Sequence, residues 1–216
     1  MAETLRTAPG ARTGIRRRPG RPSDPTDVRE SILAATLRQL VAAGGPEEVT
    51  IASVVTEAGC TPPSLYHYWP TRDRLLYEAS LRGWAQFRVD QATSVAQQDD
   101  PLARLRARGL AYVNFALARP GLFRVLFLAP SAVDPDQPPS ADAGQALLEL
   151  VADVTQAMDR GLLREADPFV TALALWSAMH GVAALWVVDP RHPAELAHRV
   201  AALAQDAILT GLAEPS

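Results

Sequence analysis

Apolar residues recur at helical spacing along most of the chain after about the first two dozen positions. In the first such segment, apolar side chains stand at Ile32, Leu33, Leu37, Leu40 and Val41, which is the period of one face of an α-helix. No segment shows the alternation of apolar and polar residues that is typical of a β-strand. The pattern therefore predicts an all-α fold of about nine helices.

Capping residues, glycines and prolines mark the predicted helix ends. The expected helices cover residues 25–43, 50–58, 62–68, 72–98, 102–118, 121–128, 144–163, 168–188 and 193–212. Asp24 is the predicted N-cap of the first helix. Residues 129–141 contain four prolines and are expected to form a loop.

Two short helices are predicted close together near the N-terminal end. Thr50 is the expected N-cap of the first, and Gly59 ends it in the left-handed conformation that lets the chain turn sharply. Thr61 is the expected cap of the second. Pro62 and Pro63 fill the first turn of that helix, where a missing N–H costs nothing.

The second short helix is poor in core residues. Leu65 is its single aliphatic anchor, and Trp69 follows its end. Two short helices joined by a tight turn, the second held from one side only, are typical of a helix-turn-helix. Such a helix would present residues 61–64 to base edges, and Tyr66 and His67 to phosphates.

The net charge of −3 hides an uneven distribution. Residues 1–22 carry six arginines and one acid, while the rest of the chain has an excess of acids. Residues 1–23 lack large apolar side chains and are expected to be a disordered basic arm. Arg17 and Arg18 precede a Pro-Gly-Arg-Pro core that contains Arg21 and resembles an AT-hook. Contact with the DNA minor groove and a merely solvated tail remain open alternatives.

The sequence offers no positive sign of catalysis. A single cysteine excludes a disulfide framework and a Cys-rich zinc site. The four histidines have no metal-ligand spacing with other ligands, and nothing resembles a catalytic pair, a nucleophile elbow or a phosphate loop. We therefore predict no catalytic residue, no metal site, no cofactor and no enzymatic activity.

Residues 169–188 are free of acids, Arg and Lys, and their 20 positions match the length of a membrane span. Against a span, they include Ser177, His180 and Gly181, and no basic excess flanks either end. A helix that is apolar on all sides also suits a soluble protein in which one face packs on the core and the other on a second subunit. We favour the soluble interface helix and predict no membrane association.

Three motifs with fixed spacing carry a family resemblance. They are R-x-x-I-L-A-A over residues 29–35, T-I-A-x-V-x-x-x-A-G over residues 50–59, and S-L-Y-x-Y-W-P-T-R-D-x-L-L over residues 64–76. Together they resemble the DNA-binding domain of the TetR family of bacterial transcriptional regulators. Further along, Trp176-x-x-x-His180-Gly181 resembles the Trp-His-Gly type of C-terminal regulatory domain in this family.

The resemblance implies a set of DNA contacts. Its members are Thr50, Thr61, Pro62, Pro63, Ser64, Tyr66, His67, Thr71 and Arg72. Within this set, residues 61–64 would read bases, Thr50 and Tyr66 would contact the DNA backbone, and Arg72 would contact a phosphate. The family also implies a homodimer on palindromic double-stranded operator DNA, with an effector cavity in the C-terminal helices.

Apolar residues of the C-terminal helices are the candidates for that cavity. They are Phe123, Phe127, Trp176, Met179 and His180. A cavity among them would bind a small apolar or aromatic effector, because almost no charge is available to pair with a charged one. The alternative is that these residues are ordinary core and that His180 is a hydrogen-bonded core residue.

The sequence thus predicts three parts: the arm at 1–23, a helix-turn-helix domain at 24–86, and a ligand-binding and dimerisation domain at 87–216. The expected function is sequence-specific transcriptional regulation, as a repressor released by its ligand. The expected location is the bacterial cytoplasm, in association with the nucleoid. The alternatives are a helical small-molecule-binding protein without operator binding and, third, a helical enzyme.

Overall fold

The computed structural model describes residues 25–128 and 140–213. Nine α-helices lie in these ranges: α1 (Pro25–Ala42), α2 (Ile51–Ala58), α3 (Pro62–Tyr68), α4 (Arg72–Val95), α5 (Pro101–Ala118), α6 (Pro120–Phe123), α7 (Ala141–Asp159), α8 (Pro168–Val188) and α9 (Ala194–Gly211). A 3₁₀ turn (Pro46–Glu48) separates α1 from α2, and α6 continues as a π-helical segment (Arg124–Leu128). The described ranges contain no strand, so the predicted all-α class is confirmed.

Several predicted features lie outside the described residues. They are the arm with Arg17, Arg18 and Arg21, the N-cap Asp24, and residues 129–139 of the proline-rich segment.

Helix ends follow the capping chemistry closely, with differences at α4, which ends at Val95 and not at residue 98, and at α7. Both α3 and α8 begin and end at the predicted residues, whereas α7 starts three residues earlier and ends four residues earlier than predicted. Gly161 has φ 67°, and its N–H donates to the carbonyl of Met158 over 2.8 Å. This left-handed glycine ends the helix. Leu162 and Leu163 extend the apolar period past it because they pack into the core from the following turn.

The N-terminal unit is built from α1, α2, α3 and the first half of α4. Its core is formed by side chains that are fully or almost fully buried, including Ile32, Leu40, Val54, Leu65 and Leu75. The second half of α4 packs with α5 and α7 of the larger C-terminal bundle, which α8 and α9 complete. Since α4 runs without a break from residue 72 to residue 95, a single rigid element belongs to both units.

The short α6 fills the space between the two units. Leu122 of α6 packs so closely on Gly83 of α4 that a β-carbon on that glycine would stand 2.7 Å from Cδ1 of the leucine. On its other side α6 contacts α1. The short α6, which continues into the π-helical segment, therefore contacts both α1 and α4.

By length and composition α8 could cross a membrane. Its inner face is nevertheless part of the core, where Leu175, Met179, Val182 and Trp186 are buried. Its outer face carries exposed Val170 and Leu185, with relative exposures of 60% and 65%. One buried face and one exposed apolar face are what the sequence predicts for an interface helix.

Candidate nucleic-acid interface and ligand cavity

The first helix of the predicted helix-turn-helix begins with a reciprocal cap. The hydroxyl of Thr50 accepts from the backbone N–H of Ser53 over 3.1 Å, and the Ser53 hydroxyl accepts from the Thr50 N–H over 3.2 Å. Two otherwise unpaired donors are satisfied in this capping box. At the other end Gly59 has φ 67°, a conformation that L side chains rarely adopt. The predicted cap and turn are both confirmed.

Side chains of α1 hold α2 in place. The carboxylate of Glu57 accepts from Gln39 Nε2 and from Arg38 Nε, each over 2.7 Å. These hydrogen bonds, from Gln39 first and Arg38 second, lower the pKa of Glu57. The α2 helix is thus held to α1 by hydrogen bonds to the charged carboxylate of Glu57.

The recognition helix α3 is anchored from one side. Leu65 is fully buried, and Trp69 is 2% exposed at the C-terminal end. The indole N–H of Trp69 donates to the Glu78 carboxylate over 2.5 Å, and the guanidinium of Arg29 lies over the indole ring, 5.4 Å from its centroid. Both anchors predicted from the sequence are buried. The aromatic one also links α3 to α1 and α4.

The leading end of α3 is open to solvent. Thr61, Pro62 and Pro63 are exposed, while Ser64 is half-buried. Thr61 is the N-cap by position, but its hydroxyl lies 3.0 Å from the Ser64 hydroxyl and makes no side-chain hydrogen bond to the backbone. The two hydroxyls therefore form a polar pair directly beside the two prolines.

Two aromatic residues follow on the exposed side of α3. Tyr66 is 48% exposed, and His67 is also exposed. Both side chains stand on the same open surface as the leading end of the helix. The structure thus brings residues 61–64, Tyr66 and His67 together on one face, and their contacts with DNA remain predictions.

The start of α4 lies beside this surface. Thr71 is exposed and caps α4, accepting from the Arg74 N–H over 3.1 Å. Arg72 Nε donates to the Val49 carbonyl over 2.8 Å, and its Nη2 donates to the Pro46 carbonyl. Arg72 therefore braces the turn before α2. Sequence reasoning missed this role because helical spacing carries no sign of a side chain bound to a distant backbone. The predicted phosphate contact of Arg72 stays a prediction.

A cavity of about 400 Å³ lies inside the C-terminal bundle. Its walls come from α4, α5, α7, α8, α9 and the π-helical segment after α6. Of the five pocket residues proposed from the sequence, Phe127, Trp176, Met179 and His180 line it. Phe123 does not. It is fully buried behind Phe127, with ring centroids 4.8 Å apart.

Aromatic rings dominate one side of the cavity. Trp84 and Phe87, both on α4, pack edge-to-face on Phe127, with ring centroids 4.8 and 5.6 Å away. Helical spacing can indicate that Trp84 and Phe87 are apolar positions of α4, but it cannot show which apolar contacts leave a void. The helix that begins beside the recognition helix therefore also forms a wall of the cavity.

A hydrogen-bonded pair faces the same space. The phenol oxygen of Tyr112 lies 2.8 Å from Nδ1 of His180. Burial raises the pKa of the Tyr112 phenol, which a hydrogen bond from Trp176 offsets in part, and burial lowers the pKa of His180. Each shift favours the neutral form of its group. Nothing in the sequence pattern singles out Tyr112.

The cavity is less free of charge than the sequence suggests, because Arg108 lines it. Arg108 is buried, yet its Nε pairs with Asp153 and its Nη1 stands 3.5 Å from Glu149. Asp153 also pairs with Arg104 at 2.5 Å. These neighbouring charges balance one another, so the wall offers no excess charge to a ligand. Within the described residues no group of three His, Cys, Asp or Glu could hold a metal ion.

The fold and these two candidate sites are those of a class of helical regulators that carry a helix-turn-helix at one end and an internal cavity at the other. A family model described as bacterial regulatory proteins of the tetR family matches residues 32–79. A second model, described as a tetracyclin repressor-like C-terminal domain, matches residues 105–209. The chain belongs to the TetR family.

Similar proteins agree with this assignment. An uncharacterized HTH-type transcriptional regulator of Mycobacterium tuberculosis is 28% identical over 207 residues, which is 94% of this chain and 96% of the relative. A TetR-family regulator of Rhodococcus superposes with a TM-score of 0.67 at 20% identity, over 85% of this chain and 99% of the other. The regulator RolR, solved with resorcinol, superposes with a TM-score of 0.63 at 14% identity, over 87% and 88%. Structural likeness at these identities shows the fold.

Proposed function

We propose that this TetR-family DNA-binding regulator is a repressor that leaves its operator when a small molecule occupies the cavity of the C-terminal bundle. The observation that carries the proposal is the continuity of α4. Thr71 caps this helix beside the recognition surface, and Trp84 and Phe87 of the same helix line the cavity. A ligand that displaces those rings would tilt α4 and move α3 with it.

The DNA contacts are proposed on the open surface of α3 and its neighbours. Residues 61–64 would enter the major groove, with Tyr66 and His67 directed at the flanking phosphates. Thr50 and Thr71 cap α2 and α4 and are exposed, so the N-termini of both helices can also face phosphates. Arg72 would support the surface by holding the turn before α2.

Residues 61–64 lack side chains that make bidentate hydrogen bonds to guanine or adenine. Their side chains are two prolines and two hydroxyl groups, with no Arg, Lys, Asn or Gln to make a bidentate contact. Proline methylenes suit the methyl group of thymine, which projects into the major groove. The proposed operator therefore has thymines where the leading end of α3 docks.

A homodimer is proposed through the outer faces of α8 and α9. On α8 an uncharged stripe is repeated at helical spacing and comprises Val170, Ala174, Ser177, Gly181, Leu185 and Val188. On α9 Leu203 is 72% exposed. Small residues at the centre of a stripe allow two helices to approach closely, and the apolar flanks supply area to bury. Two copies joined here would carry two recognition helices, as a palindromic operator requires.

We infer that the C-terminal unit is of the Trp-His-Gly type. Trp176 and His180 face the cavity, whereas Gly181 is exposed and a β-carbon there would have no neighbour within 4 Å. The motif would thus contribute residues both to the cavity and to the exposed face of α8. Its first two residues would bind the effector, and its glycine would lie in the dimer interface.

The proposed effector is small and mostly apolar or aromatic. The cavity is lined by aromatic rings and offers no excess charge. RolR, which shares the fold, was solved with the aromatic compound resorcinol. An aromatic effector is consistent with both observations.

The basic arm is proposed to add affinity for DNA in the cell. Residues 1–22 carry six arginines, while the rest of the chain is acidic overall. Non-specific attraction to phosphates would rest largely on this arm, including Arg17, Arg18 and Arg21. It would keep a cytoplasmic protein associated with the nucleoid.

A mobility-shift assay on the DNA that flanks the gene of this protein tests the regulator function. We expect a sequence-specific shift at moderate salt that an unlabelled specific duplex removes and a scrambled duplex does not. As a control, a Ser64→Glu, Tyr66→Glu double variant should lose the shift while keeping its helical content. Absence of any sequence-specific shift would refute operator binding and favour a helical ligand-binding protein.

A further inference from the structure

One corner of the cavity has a fixed direction of hydrogen bonding. The phenol oxygen of Tyr112 lies 2.8 Å from Nδ1 of His180, and Tyr112 is 4% exposed. Among the described residues no other acceptor lies within hydrogen-bond distance of the phenol. The phenol O–H therefore donates to Nδ1, because the opposite direction would leave a buried hydroxyl proton without an acceptor.

The protonation states of Tyr112 and His180 determine which ring nitrogen of His180 carries the proton. Burial keeps the Tyr112 phenol protonated by raising its pKa, and burial keeps the His180 imidazole neutral by lowering its pKa. A neutral imidazole carries a proton on one nitrogen only. Because Nδ1 accepts from Tyr112, the proton of His180 lies on Nε2.

That Nε2–H is a donor in need of an acceptor. Among the described residues it has no hydrogen-bond partner, and His180 is half-buried in the cavity wall. The two side-chain amides of the wall already donate to backbone carbonyls. Gln91 donates to the Arg108 carbonyl over 3.3 Å, and Gln205 donates to the Leu105 carbonyl over 2.7 Å. A molecule that fills the cavity without offering an acceptor would leave the His180 donor unsatisfied, which is unfavourable.

The charges around the cavity select against an ionic partner. Arg108 is engaged by Asp153 and Glu149, so it offers no free positive charge to an anion. A cation would likewise meet no free carboxylate along the described wall. The acceptor is therefore expected on a neutral molecule, such as a ketone, an ester or an ether.

We propose that His180 is the specificity-determining donor of the cavity: its Nε2–H binds the carbonyl or ether oxygen of a neutral, mostly apolar molecule. Tyr112 is the positioning residue, since it holds His180 in the tautomer that donates. The inference rests on the proposed effector function and adds the chemical feature that distinguishes effectors from other apolar compounds of similar size.

A matched pair of probes isolates this one hydrogen bond. The probes are para-fluoroacetophenone and para-fluoroethylbenzene, which share a ring and a two-carbon chain and differ in the carbonyl oxygen. Fluorine NMR titration of the purified full-length chain, without DNA, gives a Kd for each. The informative quantity is the ratio of the hydrocarbon Kd to the ketone Kd, because the general hydrophobic contribution to binding largely cancels in it.

Two variants at one position provide the comparison. His180→Phe removes the donor, and the ratio is expected to fall about fivefold from its wild-type value, the net effect of one hydrogen bond. His180→Gln places an amide donor near the position of Nε2, and the ratio is expected to stay within about twofold of wild type. A ratio unchanged in His180→Phe, or no binding of the ketone to the wild-type chain, overturns the proposal.

A second measurement does not depend on any variant at His180. Nitrogen NMR of isotope-labelled histidines reports which ring nitrogen carries the proton. We expect the wild-type chain to show His180 as the neutral tautomer protonated on Nε2, and Tyr112→Phe to weaken that preference. A tautomer protonated on Nδ1 in the wild-type chain overturns the proposal.

Neither measurement involves an operator. Failure of the mobility-shift assay would remove the repressor function and leave the binding ratio and the tautomer as measured. Failure of the ratio or the tautomer test would remove the role of His180 while specific DNA binding persisted.

Discussion

The backbone N–H of Gly121 donates a hydrogen bond to the carbonyl oxygen of Ala43 over 3.1 Å. Gly121 lies in α6, and Ala43 is the first residue after α1. A β-carbon on Gly121 would stand 2.6 Å from that oxygen and 2.5 Å from the carbonyl oxygen of Leu40. The last carbonyls of a helix lack partners within the helix, and here the carbonyl that follows α1 is satisfied by α6. A second physical link between cavity and recognition helices therefore runs beside α4.

Replacing Gly121 with alanine tests this link. The added methyl group cannot fit against two backbone oxygens, so α6 and α1 must separate, and we expect a decrease of about 1–3 kcal/mol in the free energy of unfolding. Chemical denaturation followed by circular dichroism measures the decrease. Gly144→Ala is the matched control, because Gly144 is also helical and a β-carbon there has no neighbour within 4 Å. Equal stability of the two variants would contradict the close contact.

The ion pairs beside the cavity should contribute strongly to stability. Asp153 is 2% exposed and pairs with Arg104 and Arg108. Asp153→Asn removes the carboxylate shared by Arg104 and buried Arg108 and leaves Arg108 only the longer contact with Glu149, so we expect a decrease of about 3 kcal/mol in the free energy of unfolding. The control is Asp189→Asn, which breaks an exposed pair with Arg191 and should change stability little. Comparable decreases in both variants would show that burial does not set the strength of the Asp153 pairs.

The base-reading surface predicts sensitivity to thymine methyl groups. Pro62 and Pro63 are exposed at the leading end of α3. Replacing a contacted thymine with uracil removes only the methyl group and should weaken binding by about 1 kcal/mol, or about fivefold. Fluorescence anisotropy on the operator found by mobility shift measures the change, with uracil between the half-sites as the control. Unchanged affinity at every thymine of a half-site would exclude this mode of reading.

If the basic arm contacts phosphates, deleting it should change how operator affinity depends on salt concentration. Deleting residues 1–22 removes six arginines. The slope of log affinity against log salt concentration should become shallower by about 0.9 for each phosphate that the arm neutralises in the full-length protein. A variant with Lys in place of Arg17, Arg18 and Arg21 keeps the charge and should keep the slope. If the truncated chain has the wild-type slope, the arm makes no phosphate contacts.

Local chemistry explains which elements could be predicted from the sequence. The ends of α3 and α8 follow directly from a capping residue, proline in the first turn and a terminating residue. The end of α7 could not be predicted in this way, because Leu162 and Leu163 continue the helical period beyond Gly161. Periodicity records which residues are buried and does not distinguish a helix from the turn after it.

The surface of α3 and the cavity also differ in how far the sequence predicts them. The sequence predicts the exposed surface of α3 as a continuous segment, because residues 61–67 are neighbours along the chain. The cavity is assembled from six elements, so the sequence could indicate its aromatic residues but not that Phe123 packs behind Phe127 or that Tyr112 bonds His180. Arg108 was missed because its carboxylate partners lie more than forty residues away.

Occupation of the cavity is expected to weaken operator binding. This coupling is measured as the operator Kd by fluorescence anisotropy, without ligand and with para-fluoroacetophenone at a concentration that fluorine NMR shows to fill the cavity. We predict a rise of at least about fivefold in Kd, the lower end of typical coupling between two sites. The rise should be absent in Ala146→Trp, which fills the cavity from α7, and present in Ala152→Trp on the exposed side of that helix. An operator Kd that does not change while the cavity is occupied would contradict ligand-induced release.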